Sequence, residues 1–468
     1  MVSGTVTTGQ RLEIVSYDAQ GLGDRSYLLH DGGKAVVVDP QRDPGPYLTT
    51  AEGLGVDITL VLETHIHNDY VSGGLALARR AKATYAVPSG EPVEFALDCQ
   101  ALDDGDVLTA GHLSVRVLST PGHTPHHLSF LIEDALGTKV VMTGGSLLVG
   151  TTGRTDLFGP GATRSLAEAQ WRSVRRLLAD LSPSTVVLPT HGFGSFCSVG
   201  PVEASAVAEA TIGRERQRNP VAQLELADFI DTLANQSLPV PAYYRHMAPR
   251  NRAGAPEPRY ERLPLVAPEV LPGLIGRGDF VVDIRSRRDF AGGHLRRSMN
   301  IELGPNLSTY LGWLVPIEDD FVLLGPTPGE VGEARRLLAR IGREKAEGWA
   351  QADGLASLAE NQCRRYEVRD FSDLGERSRD GSFPNVLDVR FPYEWEKGHI
   401  RGARNVPLPE IGVIAPSLSR REEIWVHCSA GYRAAIAASM LSGEGLVPVL
   451  VDDLFDHASD VGLEIVPQ

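Results

Sequence analysis

Cysteine, long apolar runs and excess positive charge are all scarce in this chain of 468 residues. Its few cysteines lie far apart without a Cys-x-x-Cys pair, which predicts reduced thiols rather than a disulfide framework: Cys99, Cys197, Cys363 and Cys428. No apolar run reaches membrane-spanning length, and the first residues lack the basic and apolar parts of a secretion signal. We therefore expect a cytoplasmic protein without a membrane partner.

The net charge and the composition further limit the possible partners and the class of protein. A formal net charge of −15 argues against nucleic acid or an anionic membrane surface as partner. Hydrophobic residues make up 42% and charged residues 22%, the balance of ordinary globular domains. The length accommodates roughly two to four such domains.

Two histidines and an aspartate follow a strand pattern in the first quarter of the chain. Residues 58–63 are rich in β-branched residues and leucine, and His65, His67 and Asp69 come directly after them. Side chains two apart on an extended segment point the same way, so both imidazoles can face one cation. A lone His-x-His motif would be weak evidence for a metal site.

Similar loops recur after three further strand patterns. They are Ser-Thr-Pro-Gly-His-Thr at 119–124 with His123, Thr-Gly-Gly at 143–145, and Pro-Thr-His-Gly at 189–192 with His191. In this order the set resembles the metallo-β-lactamase superfamily, specifically its glyoxalase II and persulfide dioxygenase branch. The resemblance covers about the first half of the chain and implies an αββα sandwich with a metal site.

Two positions depart from the pattern of that family. Tyr70 stands where the family motif ends in histidine, and Gly145 stands where the family has a bridging aspartate. The remaining complete set, His65, His67 and His123, suits zinc with an open fourth position. Asp69 and His191 would be remnants of a second metal site. The alternatives are a metal-free scaffold, or an iron dioxygenase in which water or another carboxylate replaces the lost ligand.

The segment at 153–159, Gly-Arg-Thr-Asp-Leu-Phe-Gly, also looks like the persulfide dioxygenase branch. There the resemblance implies that Arg154 helps to form the wall on the substrate side. The alternative is a surface loop in which the arginine pairs with Asp156.

An internal repeat follows a stretch rich in proline, glycine and arginine at 251–261, which we interpret as a linker. The pattern around Asp283, His294 and Asn300 returns around Asp388, His399 and Asn405, with 11 positions from Asp to His in both copies. The unit is similar to the rhodanese domain. We therefore predict three α/β domains, the last two with parallel sheets, at 1–250, 262–358 and 366–468.

The second copy carries the loop His-Cys-Ser-Ala-Gly-Tyr-Arg between a strand and a helix. Converging backbone N–H groups and the helix dipole favour a thiolate at Cys428, which is then the nucleophile. The spacing Cys-x4-Arg matches sulfur-transferring rhodaneses, and Arg433 would anchor an anionic donor. The loop residues that would contact the substrate are Ser429, Ala430, Gly431 and Tyr432.

The first copy has Gly325 in place of the cysteine and Glu330 in place of the arginine, so we expect it to be a structural spacer or docking surface. In the second copy, Asp452 and its neighbours replace the Gly-Gly stretch usual in rhodaneses.

The three domains together resemble fused persulfide dioxygenase and sulfurtransferase proteins. The expected function is sulfane-sulfur transfer through a Cys428 persulfide, with thiosulfate and a small thiol or persulfide as partners. The N-terminal domain would act on, or bind, a low-molecular-weight thiol persulfide with one zinc or iron ion, or with none. A zinc hydrolase of the glyoxalase II type and a non-catalytic persulfide-binding scaffold are the alternatives, and a homodimer is an open expectation.

Overall fold

The computed structural model describes residues 2–8, 12–95, 98–198, 210–234, 238–379 and 383–467. They divide into two compact units, Met1–Arg259 with Ala339–Gly342, and Tyr260–Leu338 with Arg343–Gln468. Among the residues just named, no helix has both the length and the apolar character needed to cross a bilayer.

The N-terminal unit contains a seven-stranded and a five-stranded sheet. The first has the order β1 to β7, and these strands are Val2–Thr8, Leu12–Ala19, Asp24–His30, Lys34–Val38, Asp57–Leu62, Thr84–Pro88 and Gln100–Leu102. The second has the order β14-β11-β10-β9-β8, and β8 to β14 are Val107–Ala110, Leu113–Ser119, Leu128–Glu133, Lys139–Gly144, Leu147–Leu148, Thr151–Thr152 and Val186–Pro189. Strands β12 and β13 form a separate pair.

The seven helices described in this unit cover the outer faces of the two sheets. They are α1 Gly45–Leu54, α2 Gly74–Ala81, α3 Pro160–Asp180, α4 Ile212–Arg218, α5 Pro220–Gln223, α6 Leu226–Ala234 and α7 Tyr244–Ala253.

Successive side chains along the strands alternate between the core between the two sheets and the cores under the helices. On β4, Val36 and Val38 join the core between the two sheets, whereas Ala35 and Val37 face the helical side. Because successive side chains of a strand point to opposite faces, a fully apolar strand can serve both cores. Val174 and Leu178 of α3 pack on the other sheet. The αββα prediction is confirmed.

Helix α7 extends into the segment predicted to be a linker. Asn251 on this helix is buried, and its amide donates hydrogen bonds to the carbonyl oxygens of His67 and Tyr70. The linker therefore begins later than the sequence predicted, because Asn251 braces the histidine loop of the N-terminal unit.

The C-terminal unit contains two parallel sheets that correspond to the two sequence repeats. Their orders are β17-β15-β18-β19 and β21-β26-β25-β22-β24. The strands β15 to β27 are Phe280–Asp283, His294–Leu295, Met299–Asn300, Phe321–Gly325, Gly348–Gln351, Cys363–Arg364, Glu367–Arg369, Asn385–Asp388, His399–Ile400, Arg404–Asn405, Glu423–His427, Val447–Val451 and Ile465–Val466.

Short helices accompany these strands. They are α8 Leu271–Arg277, α9 Arg287–Gly292, α10 Leu307–Leu314, α11 Pro328–Ala339, α12 Phe371–Arg379, α13 Pro392–Trp395, α14 Ile411–Ile414, α15 Tyr432–Gly443 and α16 His457–Asp460.

The residues that define the sequence repeat form the same brace in both copies. In the first copy, Arg285 binds the carboxylate of Asp283 through Nε and Nη2 and donates to the carbonyl of Gly293. The Asn300 amide donates at 3.0 Å to the carbonyls of Asp283 and Arg285. The second copy makes the same contacts through Asp388, Arg390, Gly398 and Asn405. The aspartates are therefore structural.

The two repeats share one hydrophobic core. Val282, Leu311 and Leu323 of the first repeat belong to the same cluster of buried side chains as Val426 and Ala435 of the second. The first repeat is thus packed against the second as part of one unit.

We predict that Asn300→Ala lowers the free energy of unfolding by about 1–3 kcal/mol, because the carbonyls of Asp283 and Arg285 each lose one hydrogen bond from the Asn300 amide. Urea-induced unfolding of the full chain measures this. Asn306→Ala is the matched control, since the side chain of Asn306 makes no capping hydrogen bond. Equal stability of the two variants would contradict the bracing role.

Candidate functional site

Loops after strands of both sheets bring four histidines together at one end of the N-terminal unit. His65 and His67 follow β5 of the seven-stranded sheet, whereas His123 follows β9 and His191 follows β14 of the five-stranded sheet. All four are at most 1% exposed. The predicted strand-end loops therefore do converge, although they come from two sheets rather than from one.

His65 is oriented by a short relay of hydrogen bonds. Its Nδ1 lies 2.8 Å from Oγ1 of Thr64, and that hydroxyl donates at 2.7 Å to the carboxylate of Asp39. Since the hydroxyl proton is committed to Asp39, Thr64 accepts from Nδ1–H of His65. The lone pair of His65 is therefore on Nε2.

His123 and His191 are fixed in the same tautomer. Nδ1 of His123 donates at 2.8 Å to the carbonyl oxygen of Arg154, and Nδ1 of His191 donates at 2.8 Å to the carboxylate of Asp24. Burial lowers the pKa of His65, His123 and His191, so all three imidazoles are neutral. Each therefore offers an Nε2 lone pair.

These three histidines form a donor set suited to a cation. Ligand nitrogens of His65, His123 and His191 lie within 4.8 Å of one another, and Nε2 of His65 is 3.2 Å from Nε2 of His191. Two ligands about 2.05 Å from a tetrahedral zinc ion are about 3.3 Å apart. Two lone pairs facing each other at this distance repel unless a positive charge lies between them. The residues present thus fit a metal ion.

His67 was predicted to complete a trio with His65 and His123, but in the structure its Nε2 is engaged by two carboxylates. Nε2 of His67 faces the carboxylates of Glu63 at 3.2 Å and Asp39 at 3.3 Å. Burial alone would lower the pKa of His67, but Asp39 and Glu63 outweigh it and raise that pKa well above its usual value. A protonated imidazole donates hydrogen bonds and has no lone pair for a metal at that nitrogen.

The second metal position of the family is only partly preserved. Ligand atoms of His67, Asp69 and His191 lie within 4.8 Å, and Oδ2 of Asp69 is 3.3 Å from Nδ1 of His191. Burial raises the pKa of Asp24 and of Asp69 to about 7. His191 already has Nδ1 on Asp24 and Nε2 toward His65, so it is not free to serve this position.

The two departures from the family pattern have a structural explanation. A Cβ atom on Gly145 would overlap the ring of His123, so this ring fills the space that a side chain at 145 requires. The Tyr70 hydroxyl donates at 3.1 Å to the backbone oxygen of Asp39 and lies 3.0 Å from Nε2 of His67. Tyr70 therefore holds the protonated His67 instead of a metal.

Two functional residues were missed from the sequence. Asp39 receives hydrogen bonds from the backbone and hydroxyl of Thr64. His127 stacks on His65 with ring centroids 4.9 Å apart and accepts from the backbone N–H of Gly145 at 3.0 Å. The pattern Val-Val-Val-Asp-Pro at 36–40 could have indicated Asp39, because this aspartate directly follows a strand that is parallel to β5. The signal for His127 was its position four residues after His123.

Arg154 is not a wall of an open substrate site. Its side chain is 1% exposed and binds both oxygens of Asp156, at 2.7 and 2.6 Å. Its remaining donors reach the carbonyl oxygens of Phe196, Leu238 and Pro239. All five N–H groups of its guanidinium therefore hold loops together. This is the alternative in which Arg154 pairs with Asp156, except that the arginine is buried.

Cys428 in the C-terminal unit lies directly after β25 and opens the loop that leads into α15. It is a free thiol, only 2% exposed, at the edge of the core shared by the two repeats. Ser429 and Ala430 above it are more exposed. The thiol is therefore buried, whereas the loop that follows it reaches the surface.

Arg433 does not offer the free anion anchor that the sequence predicted. It forms a two-pronged ion pair with Glu394, at 2.5 and 2.7 Å, and also donates at 2.9 Å to Oγ of Ser429. Burial alone would raise the pKa of Glu394, but the hydrogen bonds from Arg433 lower it. The pair is neutral overall and braces the loop.

The backbone N–H groups of the loop are the remaining donors for an anion. Within the described ranges, no group accepts a hydrogen bond from the N–H of residues 429–432. They precede or begin α15, where the helix dipole adds positive potential. A cradle of this kind binds an anionic sulfur species without a charged side chain.

Comparison with known proteins identifies the two kinds of domain. Residues 21–191 match the metallo-beta-lactamase superfamily, and residues 370–453 match the rhodanese-like domain. Human mitochondrial persulfide dioxygenase ETHE1 is 27% identical over 240 residues, which cover 50% of this chain and 85% of that protein. Hydroxyacylglutathione hydrolase of Methylococcus capsulatus is 32% identical over 248 residues, covering 49% and 88%.

A solved structure extends the likeness beyond the first half of the chain. The metallo-beta-lactamase from Staphylococcus aureus subsp. aureus COL has a TM-score of 0.64 and 28% identity, and the match covers 73% of this chain and 99% of that one. This protein belongs to the metallo-β-lactamase superfamily, with relatives like persulfide dioxygenase, and carries a C-terminal rhodanese-like domain. These relationships support a role in sulfur metabolism.

We predict that Gly145→Ala lowers the free energy of unfolding by about 1–3 kcal/mol, because the new methyl group displaces His123 from its place. Thermal unfolding of the full chain measures the effect. Gly161→Ala is the control, since a Cβ there meets no atom within 4 Å. A Gly145→Ala protein as stable as wild type would show that the ring of His123 does not fill this space.

Proposed function

We propose that this protein is a sulfurtransferase of persulfide metabolism that carries sulfane sulfur on Cys428. The observation that carries the proposal is the placement of this thiol at the base of a loop whose backbone N–H groups are unengaged. The rhodanese-like match of residues 370–453 supports it. The chemistry requires a sulfur nucleophile and a cradle for anionic sulfur, and in this proposal Cys428 is the nucleophile and the backbone N–H groups of the loop are the cradle.

The transfer takes place in two displacements. The Cys428 thiolate attacks the outer sulfur of a donor such as thiosulfate, and the donor S–S bond breaks as its electron pair leaves with sulfite. The new persulfide is anionic, and the N–H groups of residues 429–432 stabilise it. A thiolate or cyanide then attacks the outer sulfur, which restores the Cys428 thiolate. Both steps balance without an external oxidant or reductant.

The N-terminal unit would hold one metal ion on His65, His123 and His191. When bound there, the ion would act as a Lewis acid with an open position for a thiol persulfide or for water. Asp24, Thr64 and the carbonyl of Arg154 fix the three imidazoles in the tautomer that leaves Nε2 free. His67 supplies a fixed positive charge beside this position.

A second candidate activity for this unit is hydrolysis by zinc, as in the glyoxalase II type. Three neutral imidazoles favour zinc over iron, whose common site includes a carboxylate. The 32% identical hydroxyacylglutathione hydrolase supports this candidate. Gly145 argues against a two-metal form of it, since the bridging carboxylate has no room. A metal-free unit would instead act as a persulfide-binding scaffold.

We predict that Cys428→Ser reduces thiosulfate:cyanide sulfur transfer by roughly 1,000-fold or more, because a serine hydroxyl cannot form the persulfide. Mass spectrometry of the protein after incubation with thiosulfate provides a second readout, the gain of one sulfur atom. The matched control is Cys363→Ser, since Cys363 is also a free thiol in the same unit. Full activity of Cys428→Ser would eliminate the proposed function.

A further inference from the structure

The carbonyl groups of residues 429–431 in the Cys428 loop all accept hydrogen bonds, in contrast to the N–H groups of this loop. The oxygen of Ser429 accepts from the backbone N–H of Phe455 at 3.0 Å, and the oxygen of Gly431 accepts from the N–H of Ala435 at 2.9 Å. The oxygen of Ala430 accepts at 3.0 Å from Nη1 of Arg287. Two of these donors belong to the second repeat, whereas Arg287 belongs to the first.

The orientation of a carbonyl fixes the orientation of the next N–H group. A trans peptide is planar, and its C=O and N–H point in opposite directions. Because the carbonyl of Ala430 points to Arg287, the N–H of Gly431 points away from it. No other described residue donates to this carbonyl, so the hydrogen bond from Arg287 is the direct restraint on the orientation of the peptide between 430 and 431.

Arg287 is itself held tightly in place. Its Nε donates at 2.8 Å to Glu302, and its Nη1 lies 3.3 Å from Oδ1 of Asp452. The hydroxyl of Tyr432 in the loop donates at 2.8 Å to the backbone oxygen of Glu302. The first repeat therefore donates a hydrogen bond to the loop, and the loop donates one to the first repeat.

Gly431 is required for this close approach. Its φ of +80° lies in the region that disfavours side chains, and a Cβ there would be 2.7 Å from Nη1 of Arg287. Asp452, which replaces the glycine expected in rhodaneses, would also collide with that Cβ. Asp452, where rhodaneses have glycine, and Arg287 thus both approach the loop at Gly431, which has no side chain to obstruct them.

Arg288 gives an internal comparison. It binds the same carboxylate of Asp452, at 2.8 Å, but its side chain is 71% exposed and contacts no atom of the Cys428 loop in the described residues. Arg287 and Arg288 therefore share their charge, their repeat and Asp452 as a partner, whereas only Arg287 also binds Glu302 and the carbonyl of Ala430.

We propose that Arg287 of the first repeat is a positioning residue for sulfur transfer, which turns the 430–431 peptide so that the N–H of Gly431 joins the anion cradle. The proposal rests on the proposed function of Cys428. It explains how a repeat without a cysteine contributes to the reaction: the donor that completes the loop comes from it. The ligand of the cradle is an anionic sulfane group, as in thiosulfate or a cysteine persulfide.

The test compares Arg287→Ala with Arg288→Ala in the full chain. For thiosulfate, kcat/KM falls about 10- to 100-fold in Arg287→Ala, since one donor of the anion cradle is misplaced. The same quantity changes less than about threefold in Arg288→Ala, since an exposed ion pair contributes little.

Chemical rescue separates positioning from damage to the fold. Added guanidinium, far below denaturing concentration, restores part of the activity of Arg287→Ala and none of that of Cys428→Ser. Equal kinetics for the two arginine variants, or no rescue of Arg287→Ala by guanidinium, would overturn the role of Arg287. Failure of the proposed function would be recognised separately. In that case Cys428→Ser would transfer sulfur as well as wild type does.

Discussion

Three hydrogen bonds on the outer nitrogens of His65, His123 and His191 determine what the N-terminal site can bind. Because Thr64, the carbonyl of Arg154 and Asp24 each accept from an Nδ1–H, three Nε2 lone pairs converge in a buried space. Such an arrangement is unfavourable without a cation and favourable with one. The buried Arg154, the Asp39 relay and the brace from Asn251 all serve to keep these partners in place.

The C-terminal site uses the same principle for the opposite charge, because it offers N–H donors to an anion instead of lone pairs to a cation. There the outward carbonyls of the Cys428 loop are satisfied, and the inward N–H groups remain for an anion. Arg433, a charged residue that the sequence assigned to the substrate, is instead used in the brace with Glu394. Both sites thus depend on polar groups that the surrounding structure leaves without a partner, while charged side chains nearby support the frame.

Local patterns predicted the strands, the loops and the repeat because they depend on periodicity and spacing. The order of strand ends brought His65, His123 and His191 into one site, but the partners of each ring nitrogen come from distant segments. The role of His67 depended on Glu63 and Asp39, and the role of Arg433 depended on Glu394, and neither pairing leaves a pattern in the sequence. Tyr70 and Gly145 were recognised as departures, yet explaining them required the positions of the His67 ring beside Tyr70 and of the His123 ring beside Gly145.

Metal binding by His191→Gln and His67→Gln tests the assignment of the ligands most directly, measured by equilibrium titration of the metal-free proteins with zinc and with ferrous iron. If His65, His123 and His191 are the ligands, wild type and His67→Gln bind one ion per chain with affinities within about tenfold, whereas His191→Gln binds about 100-fold more weakly or not at all. Unchanged affinity in His191→Gln, together with lost binding in His67→Gln, would contradict this assignment.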